Sequence, residues 1–203
     1  MAFLSRRLSQ VNNCLEKRIP LCCLVVSFAF LFTFFVPVQA GFKPDQIKAA
    51  YIYNLPNFVY WPDLKKLEIK TKGAFVIKVL GNKSIARYLE VLTKGEKIKG
   101  NPISIVYIDS VSQAQNCRVL FVDSAFENVL TRAQLVGLAN NGILTVGESL
   151  NFLKKGGIVG LVPVGKRIVI VVNTSIAQKA SMSFSSKLMK VAEVFKAAQG
   201  EKE

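Results

Sequence analysis

The chain of 203 residues contains no histidine. Histidine is the usual general base near neutral pH, a frequent zinc ligand and a member of most hydrolase triads. Serine is plentiful, but without a neighbouring base no serine is activated as a nucleophile. We therefore expect no catalytic residues, no metal site and no cofactor, and we do not expect an enzyme.

Acidic residues are scarce as well, because 27 lysines and arginines face only 13 aspartates and glutamates, for a net charge of +14. Two lysine clusters contribute to this excess: Lys65, Lys66, Lys70 and Lys72, and Lys94, Lys97 and Lys99. Such a charge suits nucleic acid, an anionic membrane surface or an acidic protein loop. Solvated lysines that keep a protein in solution are the simplest interpretation.

The first forty residues have the pattern of an export leader, which argues against a nucleic-acid partner. The basic residues at its start are Arg6, Arg7, Lys17 and Arg18. An apolar run over 21–36 follows, and Val38-Gln39-Ala40 places small residues where a leader peptidase cuts. We predict a signal peptide over 1–40 and a single periplasmic domain over 41–203. An uncleaved signal anchor is the alternative, and it would leave the domain on the same side of the inner membrane.

Cysteine is scarce once the leader is removed. Cys14, Cys22 and Cys23 belong to the leader, so Cys117 alone remains and the mature chain can form no intrachain disulfide. Cys117 precedes the apolar residues 119–122. This position favours a buried structural thiol, with an intermolecular disulfide as the alternative.

Helical and strand patterns alternate after residue 41, without a repeat or a long linker. The first helix is predicted over 45–60, with Pro56 kinking it or ending it early and Pro62 closing the segment. Strands are predicted over 74–80, 103–108, 118–122 and 143–146, helices over 85–93 and 125–139, a hairpin over 158–162 and 167–172, and closing helices as far as Ala198. This order predicts a single α/β domain, with a mostly parallel sheet, a late antiparallel hairpin at its edge and helices packed on it.

Two motifs at strand ends have the composition of binding sites. Gly81-Asn82-Lys83-Ser84 lies at a strand-to-helix turn but lacks the earlier glycine and the Gly-Lys pair of a phosphate loop, so a capped turn explains it. Asp109 and Asp123 both follow strands and could form a carboxylate pair or a magnesium site. A turn residue and a helix cap explain them without any chemistry.

The only tryptophan ends an aromatic cluster whose other members are Tyr51, Tyr53, Phe58 and Tyr60. Trp61 is either a core residue or a contact residue at a surface groove.

A basic turn is the remaining candidate for binding. Lys166 and Arg167 lie where the hairpin turns, and Asn173 is at a predicted helix start. Two cations and a helix N-terminus favour an anionic group, and a solvated turn is the alternative.

Motifs along the whole mature chain carry a resemblance to a known family. They are residues 47–54, Phe58, Tyr60-Trp61-Pro62, Val79-Leu80-Gly81, residues 117–122 and 144–149, Phe152, Gly156-Gly157-Ile158, and residues 170–173 and 185–188. In this order they resemble the YfiR/HmsC-like family of periplasmic regulators.

The resemblance implies a repressor rather than a catalyst. Members of this family engage the periplasmic sensor domain of an inner-membrane diguanylate cyclase, which lowers cyclic-di-GMP and with it exopolysaccharide and biofilm formation, and they are usually homodimers. Relatives carry cysteine pairs that form disulfides, whereas Cys117 has no partner in the mature chain. Intrachain redox control is therefore not expected here.

The candidate contact regions are the end of the first helix, at Phe58, Tyr60 and Trp61, and the basic hairpin. A periplasmic binding module for a small anionic or nucleotide ligand, held by Lys166, Arg167 and Asn173, is the alternative function.

Overall fold

A computed structural model describes residues 43–61 and 73–196 of the chain. The predicted leader, the lysines between residues 65 and 72, Pro62 and the predicted end of the closing helices at Ala198 lie outside these residues. The strands within the described ranges are β1 (Val59–Tyr60), β2 (Phe75–Leu80), β3 (Lys97–Ile98), β4 (Asn101–Ile108), β5 (Val119–Val122), β6 (Leu144–Gly147), β7 (Val159–Val164), β8 (Arg167–Val172), β9 (Ser183–Phe184) and β10 (Glu193–Val194).

Helices fill most of the connections between these strands. They are α1 (Pro44–Asn54), α2 (Lys83–Leu92), α3 (Ser124–Glu127), α4 (Arg132–Asn140), α5 (Leu150–Lys154), α6 (Thr174–Lys179) and α7 (Ser186–Met189). Short 3-10 turns cover Leu55–Phe58 and Val111–Gln113.

Within the described ranges, the main sheet has eight strands in the order β10-β8-β7-β6-β5-β2-β4-β3. The five neighbours from β7 to β4 run parallel, and β7 and β8 form the antiparallel hairpin. The predicted α/β fold with a mostly parallel sheet is therefore confirmed. The hairpin is not at the edge, however, because β10 pairs in parallel with the end of β8.

The core lies on both faces of this sheet. Val119 and Phe121 of β5 belong to a cluster that includes residues of α1, α2 and α6, whereas Leu120 and Val122 belong to a cluster with residues of α4 and α5. All four side chains are fully buried. Burial on both faces explains why β5 is a continuous apolar run rather than an alternating pattern.

The predicted first helix is shorter than expected. Helix α1 ends at Asn54 and Pro56 lies in the following 3-10 turn, which confirms the early end. Residues 59–60 are a strand rather than a helix, so that part of the prediction is wrong. Pro56 lacks a backbone donor, and the residues after it find partners in β9: Val59 pairs with Phe184, and the Ser185 N–H donates to the Phe58 carbonyl at 2.8 Å.

Two further predictions were too simple. The helix predicted over 125–139 is two helices, because Thr131 starts α4 with a capping box in which the Thr131 side chain accepts from the Gln134 N–H at 3.3 Å and the Gln134 side chain accepts from the Thr131 N–H at 2.9 Å. The closing helices are α6 and α7, with β9 and β10 interposed. Helix α5 was not predicted.

Candidate functional site

The carboxyl ends of β2 and β5 are joined by side chains. The connection that follows β2 runs toward β4 on one side, whereas the connection that follows β5 runs toward β6 on the other. The carboxyl ends of β2 and β5 therefore flank the kind of switch point at which open α/β sheets bind ligands. The Asn82 side chain accepts from the Ile85 N–H at 3.0 Å and donates to Asp123 at 2.9 Å. Asp123 in turn accepts from the Ala125 N–H at 3.0 Å. The interpretations of Gly81-Asn82-Lys83-Ser84 as a capped turn and of Asp123 as a helix cap are confirmed.

Asp109 does not form a carboxylate pair with Asp123. Asp109 follows β4 and is exposed, whereas Asp123 follows β5 on the other side of β2. Two strand spacings separate the ends of these strands, or about 10 Å. No group of three histidine, cysteine, aspartate or glutamate side chains in the described part of the chain could hold a metal ion.

Glu127, at the end of α3, is a carboxylate of this region that accepts several hydrogen bonds. It is 4% exposed and accepts hydrogen bonds from the backbone N–H of Glu148, from the backbone N–H of Ser149 at 3.1 Å and from the Ser149 hydroxyl. Donors to an ionised carboxylate offset its loss of hydration. Through these hydrogen bonds, Glu127 connects α3 to the turn between β6 and α5.

Glu148 forms a second buried contact at the same turn. Its Oε1 lies 2.9 Å from Nζ of Lys48, and the two side chains are 9% and 10% exposed. Burial raises the pKa of the Glu148 carboxyl, Lys48 opposes this shift, and the charges of Asp123 and Glu127 add to it. The ion pair connects α1 to the carboxyl end of β6. We define the carboxyl-end network as Lys48, Glu127, Glu148 and Ser149.

Sequence reasoning missed Glu127 and Glu148 as structural residues. The Gly147-Glu148-Ser149 motif was noted only for the family resemblance, and the acceptor for its backbone donors is more than twenty residues away in the chain. Gly147 belongs to the same arrangement, because an added Cβ would lie 2.7 Å from Oε1 of Glu127 and 2.5 Å from the Phe152 ring.

The three predicted partner-binding residues differ in exposure. Tyr60 is 59% exposed, Phe58 is half-buried and Trp61 is 7% exposed. The Trp61 indole N–H donates to the Gly142 carbonyl at 3.1 Å, and its ring meets Phe75 edge-on with centroids 6.1 Å apart. These contacts support the interpretation of Trp61 as a core residue.

Lys99 covers the outer side of this aromatic segment. Its ammonium donates to the Val59 carbonyl at 2.8 Å and lies 4.7 Å from the centre of the Trp61 ring, within range of a cation–π interaction. Burial and the nearby charge of Arg118 lower the pKa of Lys99. We define the aromatic–basic ribbon as Tyr60, Lys99 and Lys187, the last of which is exposed on α7 directly after β9.

The basic hairpin does not bring its three predicted ligand-binding residues together. Lys166 and Arg167 are exposed at the turn, whereas Asn173 is buried beyond the other end of β8. Six residues of extended chain separate Arg167 from Asn173, or about 20 Å. The Asn173 side chain accepts from the Ile176 N–H at 3.2 Å and donates to the Leu153 carbonyl at 3.1 Å, so it caps α6.

Cys117 is fully buried, as predicted. Its thiol donates to the Ala114 carbonyl at 3.4 Å, and burial raises its pKa to about 12. A buried thiol that does not ionise is protected from disulfide exchange while the domain stays folded.

No helix among the described residues is long and apolar enough to cross a membrane, and none of the curated proteins compared with the chain matches it. A solved structure, the ABC domain in complex with L-Trp from Streptococcus pneumonia, is similar with a TM-score of 0.47 and 14% identity, over 75% of this chain and 60% of that one.

The family comparison covers most of the described structure. The YfiR/HmsC-like family matches residues 45–193, which run from the first turn of α1 to the start of β10. The proteins of this family are periplasmic, non-catalytic regulators that act through a partner protein in cyclic-di-GMP signalling. The chain belongs to the YfiR/HmsC-like family.

Proposed function

We propose that the chain is a periplasmic repressor that binds the periplasmic sensor domain of an inner-membrane diguanylate cyclase. Binding lowers cyclic-di-GMP and with it exopolysaccharide and biofilm formation, and the repressor acts as a homodimer. The observation that carries this proposal is the family match over residues 45–193. The leader pattern over 1–40 supports it, because it delivers the domain to the compartment where such a sensor domain lies.

Repression by binding needs no catalytic group. A domain that binds only the inactive form of the cyclase shifts the population toward that form. Moving the equilibrium from 1:99 to 99:1 requires roughly 5.5 kcal/mol of difference in affinity between the two forms. One well-packed contact centred on a buried aromatic residue can supply much of this difference.

The aromatic–basic ribbon is the surface that we assign to this contact. Tyr60 is exposed although its neighbours Val59 and Trp61 are buried, and tyrosine is enriched where proteins bind one another. Lys99, whose ammonium binds the carbonyl of the neighbouring residue Val59, and the exposed Lys187 add positive charge that favours an acidic segment on the partner. Phe58 and Trp61 then contribute indirectly, because they hold the backbone of Tyr60 in place.

Crosslinking in living cells tests the assignment. A photoreactive amino acid replaces Tyr60, and a matched control replaces Val91, which is 72% exposed on α2. We expect position 60 to crosslink to a membrane protein that mass spectrometry identifies as a diguanylate cyclase, and position 91 not to. Crosslinks to the cyclase from position 91 and none from position 60 would move the contact elsewhere.

The alternative function is a binding module for a small anionic or nucleotide ligand. The exposed pair Lys166 and Arg167 at the hairpin turn supports it, but Asn173 can take no part in the same contact. Isothermal titration with pyrophosphate and with nucleotides distinguishes the two functions. A binding heat that Arg167→Ala abolishes would favour the ligand, and no heat would favour the repressor.

A further inference from the structure

Among the residues that the structure describes, one side of β4 has backbone groups without a strand partner. Strand β2 pairs with residues 103–108 of β4 along one side. On the other side, β3 pairs only with Asn101 and Pro102. Within the ranges 43–61 and 73–196, no strand pairs with the outer side of residues 103–108. We refer to this side as the β4 edge.

The direction of the backbone groups follows from the β2 ladder. The Gly81 N–H donates to the Ile108 carbonyl at 3.1 Å. Alternate residues of a parallel strand bond to the same neighbour, so Ser104, Val106 and Ile108 turn their N–H and C=O groups toward β2. Ile105 and Tyr107 therefore turn theirs toward the β4 edge.

Strand residues 103–108 of the β4 edge carry none of the features with which proteins usually protect an edge strand, although Lys83 of α2 lies 5.3 Å from the centre of the Tyr107 ring. Residues 103–108 include no charged residue, no proline and no glycine. By contrast, β10 at the opposite end of the sheet has two residues and carries Glu193, and the open part of β8 begins at Arg167. An apolar edge strand of this length without a charge is suited to pairing with another strand.

We infer that the β4 edge pairs antiparallel with the β4 edge of a second copy of the chain. Strand β3 occupies the edge beside Asn101 and Pro102, so the pairing covers residues 104–108, with the two-fold axis at Val106. Ile105 then lies opposite the second copy's Tyr107, and the two exchange backbone hydrogen bonds. A β-branched residue opposite an aromatic residue is a favourable cross-strand pair.

The absence of charge is the reason for choosing a second copy as the occupant. In a two-fold pairing each residue at the axis meets itself, so a charged residue there would repel its counterpart. The chain carries a net charge of +14 yet has no charge in this segment. An acidic partner would be drawn to the aromatic–basic ribbon instead. This inference rests on the homodimer of the proposed function and not on repression.

The contact is small, with about five residues from each copy, well below a standard interface. We therefore expect a weak, reversible dimer whose population depends on protein concentration.

Substitution at the two-fold axis tests the inference on protein secreted from the full-length gene. Val106 is 36% exposed. Val106→Lys and Val106→Glu each place like charges opposite one another, and we expect each to weaken dimerisation at least about tenfold in sedimentation velocity. An equimolar mixture of the two variants restores the dimer, because lysine then meets glutamate. Val91→Lys is the matched control and dimerises as the wild type does.

A cysteine at the same position gives a second readout if the charged variants do not fold. At the axis the two copies of residue 106 form a non-hydrogen-bonded pair with Cα atoms about 4.5 Å apart, which a disulfide can bridge. Since Cys117 is buried, we expect Val106→Cys to give a covalent dimer on mild oxidation and Val91→Cys not to.

A wild-type chain that remains monomeric at high concentration overturns the inference. That result is expected if a strand of the regulated partner, rather than a second copy of the chain, covers the β4 edge. So does a Val106→Cys chain that gives no covalent dimer, or a mixture of folded charge variants that stays monomeric. A monomeric chain that still lowers cyclic-di-GMP would refute the dimer and leave the repressor function intact.

Discussion

The carboxyl-end network and the aromatic–basic ribbon both contain charged side chains, but the two regions use them differently. In the network, Glu127 and Glu148 are buried and are bound by backbone donors, a hydroxyl and Lys48. In the ribbon, Tyr60 is exposed, and among residues 43–61 and 73–196 Lys99 contacts the Trp61 ring and the Val59 carbonyl. Groups whose partners lie inside the fold hold it together, and groups that still face solvent are available to a partner protein.

Neighbouring aromatic residues give the largest expected contrast in stability. Trp61→Ala removes a buried ring and its hydrogen bond to Gly142, and we expect it to lower the free energy of unfolding by about 3–5 kcal/mol. Tyr60→Ala removes a side chain that is 59% exposed and should cost less than about 1 kcal/mol. Urea denaturation measures both. Equal losses for the two variants would place Tyr60 in the core with Trp61.

The carboxyl-end network predicts the next largest loss. Glu127→Ala leaves the N–H groups of Glu148 and Ser149 without an acceptor, and unsatisfied buried donors cost about 3 kcal/mol here. Glu90→Ala is the matched control, because Glu90 is exposed on α2 and should change stability by less than about 0.5 kcal/mol. Thermal melts separate the two. A Glu127 variant as stable as the control would show that water replaces the carboxylate.

Glu148 gives the network a dependence on pH. Its pKa is raised by burial and by Asp123 and Glu127, against the attraction of Lys48. Folding therefore favours the protonated form, so the wild type gains stability as pH falls from neutral through the raised pKa toward 4.5. We expect the wild type to gain stability relative to Glu148→Gln over this range. Denaturation at several pH values measures the difference, and a difference that is flat or opposite in sign contradicts the direction of the shift.

The smallest expected effect concerns the reactivity of the Cys117 thiol and not the stability of the fold. Because its thiol is buried and its pKa is about 12, we expect maleimide to leave the peptide that contains Cys117 unmodified in the native chain and to label it fully in urea. Peptide mapping by mass spectrometry distinguishes this cysteine from those of the leader. Rapid labelling in the native state would show that the loop around Ala114 opens.

Local patterns were enough to predict most of the sheet. The apolar runs of β2, β5 and β6, the hairpin of β7 and β8 and the Asn82 cap follow from composition and turn chemistry. The short strands β1 and β9 could not be predicted from local patterns, because each has two residues and is defined by its pairing with the other, which is distant in the sequence. Glu127 was missed for the same reason: its donors lie in a turn that only the folded sheet brings near. The exposure of Tyr60 beside a buried Trp61 could not be read from an aromatic cluster either.

The most direct test of the repressor function is the cellular level of cyclic-di-GMP in three strains: one that lacks the gene, one complemented with the wild-type chain and one complemented with Tyr60→Ala. We predict that loss of the gene raises cyclic-di-GMP, that the wild type restores the low level, and that Tyr60→Ala is exported and folded but does not restore it. Unchanged cyclic-di-GMP in the strain without the gene would contradict the repressor function itself.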